Sequence, residues 1–215
     1  MIHNLCLITE FPYKSLDNYL SFLQQAILGG VTSVQFRDKT SPYQLRYDTA
    51  VAIKNVLSQY QIPLIINDDL TLAKTIQADG IHLGQNDISP ADARKALGPD
   101  KIIGLSIETI DQLYAANELD YIDYIAASAV FNSQTKPDCK TIWGLDGLRK
   151  ITQQAKYPVI AIGGITPENA RAVIQQGASG VAVVSALHQS SNPALVAQLF
   201  IQEINQGAQH VRTNA

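Results

Sequence analysis

Short apolar runs alternate along the chain with longer segments whose apolar residues are spaced as on one face of a helix. Uninterrupted apolar runs are typical of strands buried on both faces of a parallel sheet, and the intervening segments predict amphipathic helices. The predicted strands are Leu5 to Thr9, Val31 to Phe36, Pro63 to Asn67, Gly80 to Leu83, Ile102 to Leu105, Tyr121 to Ala126, Pro158 to Ile162 and Gly180 to Val184. Eight strand–helix units in 215 residues predict an α/β fold, a single (β/α)8 TIM barrel domain over residues 1–215. A doubly wound open sheet is the alternative.

Turn and cap residues separate these units. Small residues recur where a helix ends and the next strand begins, in GGVTSV, QADGIHL and QGASGVAV. Helix starts are predicted at polar residues, most of them followed by proline: Ser15, Ser41, Ser89, Thr109, Thr166 and Asn192. The positions of these helix starts and ends therefore support the same count of eight strand–helix units.

Composition narrows the class of protein. Apolar residues make up 46% of the chain, enough for a large core, and the 16% of charged residues nearly balance at a net charge of −3. This composition predicts no binding of nucleic acid.

Cys6 and Cys139 fit no metal spacing and are predicted to be reduced. Without a signal peptide or an apolar run near the ~20 residues of a membrane span, we expect a soluble cytoplasmic protein with no membrane partner.

The stretch IPLIINDD places polar side chains at the end of the third predicted strand. In barrels of this kind, function lies on the rim formed by the residues that follow each strand. Asn67, Asp68 and Asp69 would point into that crevice, and two adjacent carboxylates favour a divalent cation. The alternative is that the tripeptide forms an Asx turn and caps the next helix.

Another carboxylate, Asp87, follows the fourth predicted strand. Mg²⁺ binds one or two carboxylates together with phosphate oxygens and water, so Asp68 and Asp87 predict half of a magnesium site that a diphosphate would complete. Asp87 could instead serve the first turn of the helix that starts at Ser89. His82 lies inside the strand and is predicted to be a hydrogen-bonded barrel residue.

Cationic and amide side chains follow the second predicted strand. Alternation along an extended chain sends Gln35, Arg37 and Lys39 to one side, so an amide and two cations would face the rim that holds Asp68. Solvated loop charges are the alternative. Ser106, at the end of the fifth strand, could donate a hydrogen bond to an anion.

The longest predicted loop, Val130 to Gly144, groups hydroxyl and amide donors with a cation in NSQTK. Such a group suits phosphate, whereas a mobile surface loop is the alternative. Gly163, Gly164 and Ser185 follow strands seven and eight, where barrels often bind phosphate through backbone amides. Two anion sites predict one substrate with a monophosphate and one with a diphosphate. With no activated nucleophile in view, catalysis would consist of positioning and charge stabilisation.

Segments along nearly the whole chain resemble the thiamine phosphate synthase family: LITE, GGVTSVQFRDK, LIINDD, ADGIHLGQND, GPDKIIGLS, TK, AIGGI and VAVVSA. Enzymes of this family are transferases of thiamine biosynthesis. The resemblance implies a magnesium-dependent condensation of 4-amino-2-methyl-5-(diphosphooxymethyl)pyrimidine with a thiazole phosphate, in which diphosphate leaves before the thiazole nitrogen attacks. It also implies small-molecule substrates and a homo-oligomer.

The resemblance also implies a role for each matching position. Gln35 would contact the pyrimidine, and Asp68 and Asp87 would bind Mg²⁺. The diphosphate would be held by Arg37, Lys39, Asn67, Ser106 and Lys136, of which all but Asn67 are the implied catalytic residues. The thiazole phosphate would be held by Ser133, Thr135, Gly164, Val184 and Ser185.

Two segments depart from the pattern of the family. Ser128 and Ala129 replace a usual Gly-Pro pair, with Asn132 and Ser133 further on, and Glu108 stands where the family usually has histidine. A thiazole tautomerase on the same fold, or a non-catalytic sensor of phosphate ligands, is therefore the alternative function. The cations and carboxylates listed by their roles above favour the synthase.

Overall fold

A computed structural model describes residues 4–11, 13, 15–133 and 139–213, with the side chains of 210–213 left aside. Its strands form a closed barrel in sequence order, in which every neighbouring pair is parallel. The strands are Leu5–Ile8 (β1), Ser33–Phe36 (β2), Leu64–Asn67 (β3), Gly80–Leu83 (β4), Ile102–Ile107 (β5), Tyr124–Ser128 (β6), Val159–Ile162 (β7) and Gly180–Val183 (β8). The predicted (β/α)8 barrel is confirmed, and the open sheet is excluded.

Helices follow the strands and cover the barrel. They are Leu16–Leu28 (α1), Tyr43–Gln59 (α2), Leu70–Thr75 (α3), Pro90–Leu97 (α4), Ile110–Asn117 (α5), Gly144–Gln154 (α6), Pro167–Gln175 (α7), Ser185–His188 (α8) and Pro193–Thr213 (α9). The side chains of Ser15, Ser89, Thr109 and Asn192 each accept a hydrogen bond from a backbone amide three residues later, as predicted. The prediction for Ser41 is wrong, since the cap position of α2 is Pro42 and no side chain caps it.

Strand ends differ from the prediction mainly at β6, which begins at Tyr124 instead of Tyr121. Residues 121–123 precede the strand. Asp123 is held by its side chain, whose carboxylate accepts hydrogen bonds from the Ile103 amide and the Arg94 guanidinium, both at 2.7 Å. These contacts join residues far apart in the chain. The apolar pattern of 121–126 does not report them.

The barrel separates two apolar regions. The outer one packs strand residues such as Leu7, Ile66 and Ile81 against the helices. The inner one is small and contains Cys6, Ile8, Tyr124, Ile160 and Ala182. Several other buried positions are polar: Thr9, Ser33, Gln35, Thr49, His82 and Ser128. Buried polar groups need hydrogen-bond partners, so those inside the barrel restrict one another.

Both cysteines are free thiols. Burial raises the pKa of Cys6 to about 11, so this thiol stays protonated and is a poor nucleophile. Among the described residues, no helix is both long and apolar enough to span a membrane.

Candidate active site

The two neighbouring carboxylates after β3 have different surroundings. Asp69 is the cap of α3, since its side chain accepts a hydrogen bond from the Leu72 amide at 2.9 Å, and it pairs with Arg46 at 3.0 Å. Asp68 has a φ of 55° and turns the other way, with its Oδ2 2.9 Å from Lys39 Nζ and 2.7 Å from Asn67 Nδ2. The capping interpretation therefore applies to Asp69, and Asp68 remains the candidate metal ligand.

The segment after β2 is held by hydrogen bonds from both sides. The Thr9 hydroxyl accepts from the Arg37 amide at 2.8 Å and donates to the Arg37 carbonyl at 3.2 Å. Asp38 accepts from the Thr40 amide at 3.1 Å and from the Ser41 amide at 3.0 Å. Partial burial alone would raise the pKa of Asp38, but hydrogen bonds from the Ser41 hydroxyl and from these two amides, together with the charge of Arg46, hold it below its usual value. The backbone that carries Arg37 and Lys39 is thus ordered before any ligand binds.

Gln35 is 5% exposed and is paired in register with Ile8, which belongs to the inner apolar region, so Gln35 also faces the inside of the barrel. Gln35 therefore lies deeper in the barrel than Arg37 and Lys39, which follow β2 toward the rim. Lys39 is half-exposed and forms an ion pair with Asp68. A lysine that was only a solvated loop charge would have no such partner.

Asp87 folds back onto the end of β4. Its Oδ2 accepts a hydrogen bond from the Gly84 amide at 2.6 Å, while Ser89 and Asp92 serve the first turn of α4. Asp68 and Asp87 thus follow adjacent strands of the barrel. In the described ranges no group of three or more His, Cys, Asp or Glu side chains could hold a metal ion by itself.

His82 is a hydrogen-bonded barrel residue, as predicted. Its Nδ1 lies 2.9 Å from the Tyr124 hydroxyl and its Nε2 lies 2.8 Å from Ser106 Oγ. Ser106 is therefore in a hydrogen-bonded chain that starts inside the barrel and ends toward the rim. Gln85 also donates to the Ser106 carbonyl at 2.7 Å.

The ends of β6 and β7 lie against each other. The amide of Phe131 donates to the Gly163 carbonyl at 3.0 Å, and Asn169 donates to the Gly164 carbonyl at 2.9 Å. Gly163 and Gly164 have φ values of 100° and 63°, and a Cβ on Gly164 would lie 2.6 Å from the Asn132 carbonyl oxygen. Only glycine fits between this turn and the loop that leads to Ser133. Thr135 and Lys136 lie outside the described residues.

Comparison with known protein families shows which family the chain belongs to. A family model described as thiamine monophosphate synthase matches residues 5–187. The chain belongs to the thiamine monophosphate synthase family. Thiamine-phosphate synthase of Chlamydia abortus is 40% identical over 203 residues, which cover 94% of this chain and 95% of the relative. That of Vibrio parahaemolyticus is 40% identical over 199 residues, covering 93% and 97%. The predicted family and its transferase function are confirmed.

A solved structure agrees with this membership in the thiamine monophosphate synthase family, and a second one shares the fold. A thiamine phosphate pyrophosphorylase from Pyrococcus furiosus is 29% identical with a TM-score of 0.85, covering 95% of this chain and 96% of that one. A 3-hexulose-6-phosphate synthase from Salmonella typhimurium, at 19% identity and a TM-score of 0.70, covers 95% and 99% and shares the fold.

Two residues that matter to the site of this family member had no predicted role, Thr9 and Tyr124. Thr9 looks in the sequence like the end of an apolar strand, and Tyr124 like a core aromatic. A signal for Tyr124 was present in Gly104, because a glycine inside a strand often marks close approach of another group. Nothing in the sequence pairs Thr9 with Arg37.

His188 secures the short helix α8, which begins at the candidate residue Ser185 next to Val184. Its Nδ1 donates to the Val184 carbonyl at 2.9 Å, its Nε2 lies 3.2 Å from the Tyr19 hydroxyl, and the ring packs on Phe22. Burial lowers the pKa of His188, against the opposing effects of the Val184 bond and of Glu10. The folded protein therefore favours the neutral ring.

We expect this histidine to make stability depend on pH. Because its pKa is lower in the folded than in the unfolded chain, its contribution is complete above the unfolded value of about 6.5 and declines as pH falls from there toward the lower folded value. Urea midpoints at several pH values between 7.5 and 5 should fall more steeply for the native chain than for His188→Gln. Parallel curves for the two proteins would contradict the assignment.

Proposed function

We propose that this chain condenses 4-amino-2-methyl-5-(diphosphooxymethyl)pyrimidine with a thiazole phosphate to give thiamine phosphate and diphosphate. The observation that carries the proposal is the contact of Lys39 with Asp68, which puts a cation and a carboxylate together where β2 and β3 end. The names of relatives about 40% identical over most of the chain support the same activity. We expect residues 1–215 to act as one domain with its active site on this rim.

In this proposal, Arg37 and Lys39 bind the diphosphate with Asn67, Ser106 and Lys136. The cations stand where negative charge grows as the leaving group departs, which lowers the barrier most effectively when they are already in place. Thr9 and Asp38 help to hold the cations in place, because they form hydrogen bonds with the backbone around Arg37. Gln35, inside the barrel, would contact the pyrimidine.

Magnesium fits the donor set at the ends of β3 and β4. Two carboxylates, Asp68 and Asp87, are what Mg²⁺ takes from protein when phosphate oxygens and water complete its shell. The Lys39 ammonium, 2.9 Å from Asp68, supports the proposal by placing positive charge beside this carboxylate. When bound, Mg²⁺ would supply charge stabilisation to the leaving diphosphate. Magnesium dependence, a cytoplasmic location and assembly into homo-oligomers stay predictions.

The thiazole phosphate would bind across the ends of β6 to β8. Gly164 offers backbone that nothing but glycine can place so close to Asn132, and Ser133, Thr135, Val184 and Ser185 would supply further donors. Holding the thiazole there brings its nitrogen toward the pyrimidine methylene carbon. The carbon–oxygen bond to diphosphate breaks with its electron pair leaving on oxygen, and the thiazole nitrogen lone pair forms the new carbon–nitrogen bond.

Purified protein with Mg²⁺ and both substrates should release one diphosphate for each thiamine phosphate formed. Each substrate alone should release far less, because the thiazole nitrogen is the acceptor. Product can be measured by its conversion to fluorescent thiochrome, and diphosphate by a coupled phosphatase assay. Tight binding of both substrates without turnover would indicate the phosphate-ligand sensor and reject the proposal.

A further inference from the structure

Three inward-facing side chains on adjacent strands form a hydrogen-bonded chain. The Tyr124 hydroxyl lies 2.9 Å from His82 Nδ1, and His82 Nε2 lies 2.8 Å from Ser106 Oγ. In the register of the barrel, Gly104 is paired with His82 on one side and with Tyr124 on the other, so these two side chains lie at one level. Ser106 is the next inward position of β5 and lies closer to the rim.

Gly104 allows the chain to form. A Cβ at this position would lie 2.1 Å from Cζ and 2.4 Å from the hydroxyl oxygen of Tyr124. The tyrosine ring therefore passes over the backbone of β5 and reaches His82 on β4, with the two rings stacked at a centroid distance of 5.5 Å. Any larger residue at 104 would displace the phenol from this contact.

The position of each proton follows from the burial of Tyr124. Burial, reinforced by Cys6 and Asp123, raises the pKa of Tyr124 well above its usual value, so the hydroxyl keeps its proton. Within the described part of the chain, His82 is the hydrogen-bond partner of this hydroxyl and no other is present. A buried donor without an acceptor is costly, so the proton of Tyr124 is donated to His82 Nδ1. In a neutral His82 ring the single proton is then on Nε2, from which it would be donated to Ser106 Oγ.

We propose that Tyr124 is a positioning residue that holds His82 as the Nε2–H tautomer and so makes Ser106 a hydrogen-bond donor to the diphosphate. With its oxygen accepting from His82, Ser106 directs its own proton away from the ring. In the opposite tautomer the serine proton would be used on His82, and Ser106 would present lone pairs to a negatively charged ligand. This inference rests on the proposed function, in which Ser106 binds the diphosphate.

The tautomer can be measured without turnover. Nitrogen-15 NMR of the ligand-free protein, with His82 assigned by comparison with His82→Gln, should show a protonated Nε2 and an unprotonated Nδ1. Tyr124→Phe should abolish this fixed pattern, since the donor to Nδ1 is removed. A ring protonated at Nδ1, or at both nitrogens, in the native protein would overturn the inference.

Kinetics test whether Tyr124 acts through Ser106. Tyr124→Phe should lower kcat/KM for the pyrimidine diphosphate about 10- to 100-fold, the usual range for a residue that orients a ligand-binding group, and leave KM for the thiazole phosphate unchanged. Tyr114→Phe is the matched control, because the Tyr114 hydroxyl donates to Gln154 on the exposed surface. In a Ser106→Ala background, Tyr124→Phe should add less than about twofold. Multiplying losses would overturn the inference.

Direct binding separates failure of this inference from failure of the proposed function. Calorimetry with inorganic diphosphate and Mg²⁺ should show weaker binding to Tyr124→Phe and unchanged binding to Tyr114→Phe. Equal affinity for diphosphate in the two variants would reject the role of Tyr124 even if the enzyme is active. Absence of turnover in the native protein, with the expected NMR pattern and binding difference, would reject the proposed function alone.

Discussion

Asp68→Asn is expected to reduce kcat by about 10²- to 10³-fold, because it removes a carboxylate that would hold the Mg²⁺ whose charge stabilises the leaving diphosphate. Asparagine tolerates the left-handed backbone at Asp68, where φ is 55°, so the change removes charge with little strain. The Lys39–Asp68 pair is half-exposed on the lysine side and contributes only about 0–1 kcal/mol to stability. The loss should therefore appear in diphosphate release and hardly in the thermal midpoint.

Asp69→Asn is the matched control for this prediction. Asparagine still caps α3, but the partner of Arg46 is lost, and leaving that partly buried guanidinium unpaired should cost about 1–3 kcal/mol of unfolding free energy. Activity per folded molecule should stay near that of the native chain. If the two substitutions reduced turnover equally, or if Asp68→Asn left turnover intact, Asp68 would not be the residue that holds the metal at the leaving group.

Gly164→Ala is expected to weaken binding of the thiazole phosphate by about 10-fold or more, since misplacing a positioning group by about 1 Å can cost up to 10²-fold. Its φ of 63° disfavours a side chain, and the added Cβ would lie 2.6 Å from the Asn132 carbonyl oxygen and 2.8 Å from Phe131 Cβ. The loop that carries Ser133 would have to move. The measurement is KM for the thiazole phosphate at a saturating concentration of the pyrimidine diphosphate.

Gly144→Ala separates backbone strain from displacement of the loop. Gly144 has a similar φ of 60°, but no atom lies within 4 Å of a Cβ built there. Both variants should lose about 1–2 kcal/mol of stability from the left-handed conformation, and Gly164→Ala should lose more because it also crowds Asn132. Equal KM values for the thiazole phosphate in the two variants would show that the contact with Asn132 does not shape the phosphate site.

The sequence by itself determined the barrel and the family. Burial on both faces of a strand leaves an uninterrupted apolar run, and helix caps need particular side chains at particular positions, so β3 and the cap Ser89 could be placed from local pattern alone. The interruption of the run at Asn67 also placed polar side chains on the rim. These features depend on neighbours in the chain, which a sequence displays directly.

The tertiary structure decided which partner each polar side chain contacts, and therefore which role each one has. Nothing in NDD tells which carboxylate caps a helix, because the answer depends on Arg46 and Lys39 being in reach of Asp69 and Asp68. Similarly, Tyr124 reads as a core aromatic until Gly104 is seen to let it reach His82. A buried polar group takes whichever partner the fold brings within hydrogen-bond distance, and that distance is set by the register of the closed barrel, which no local pattern contains.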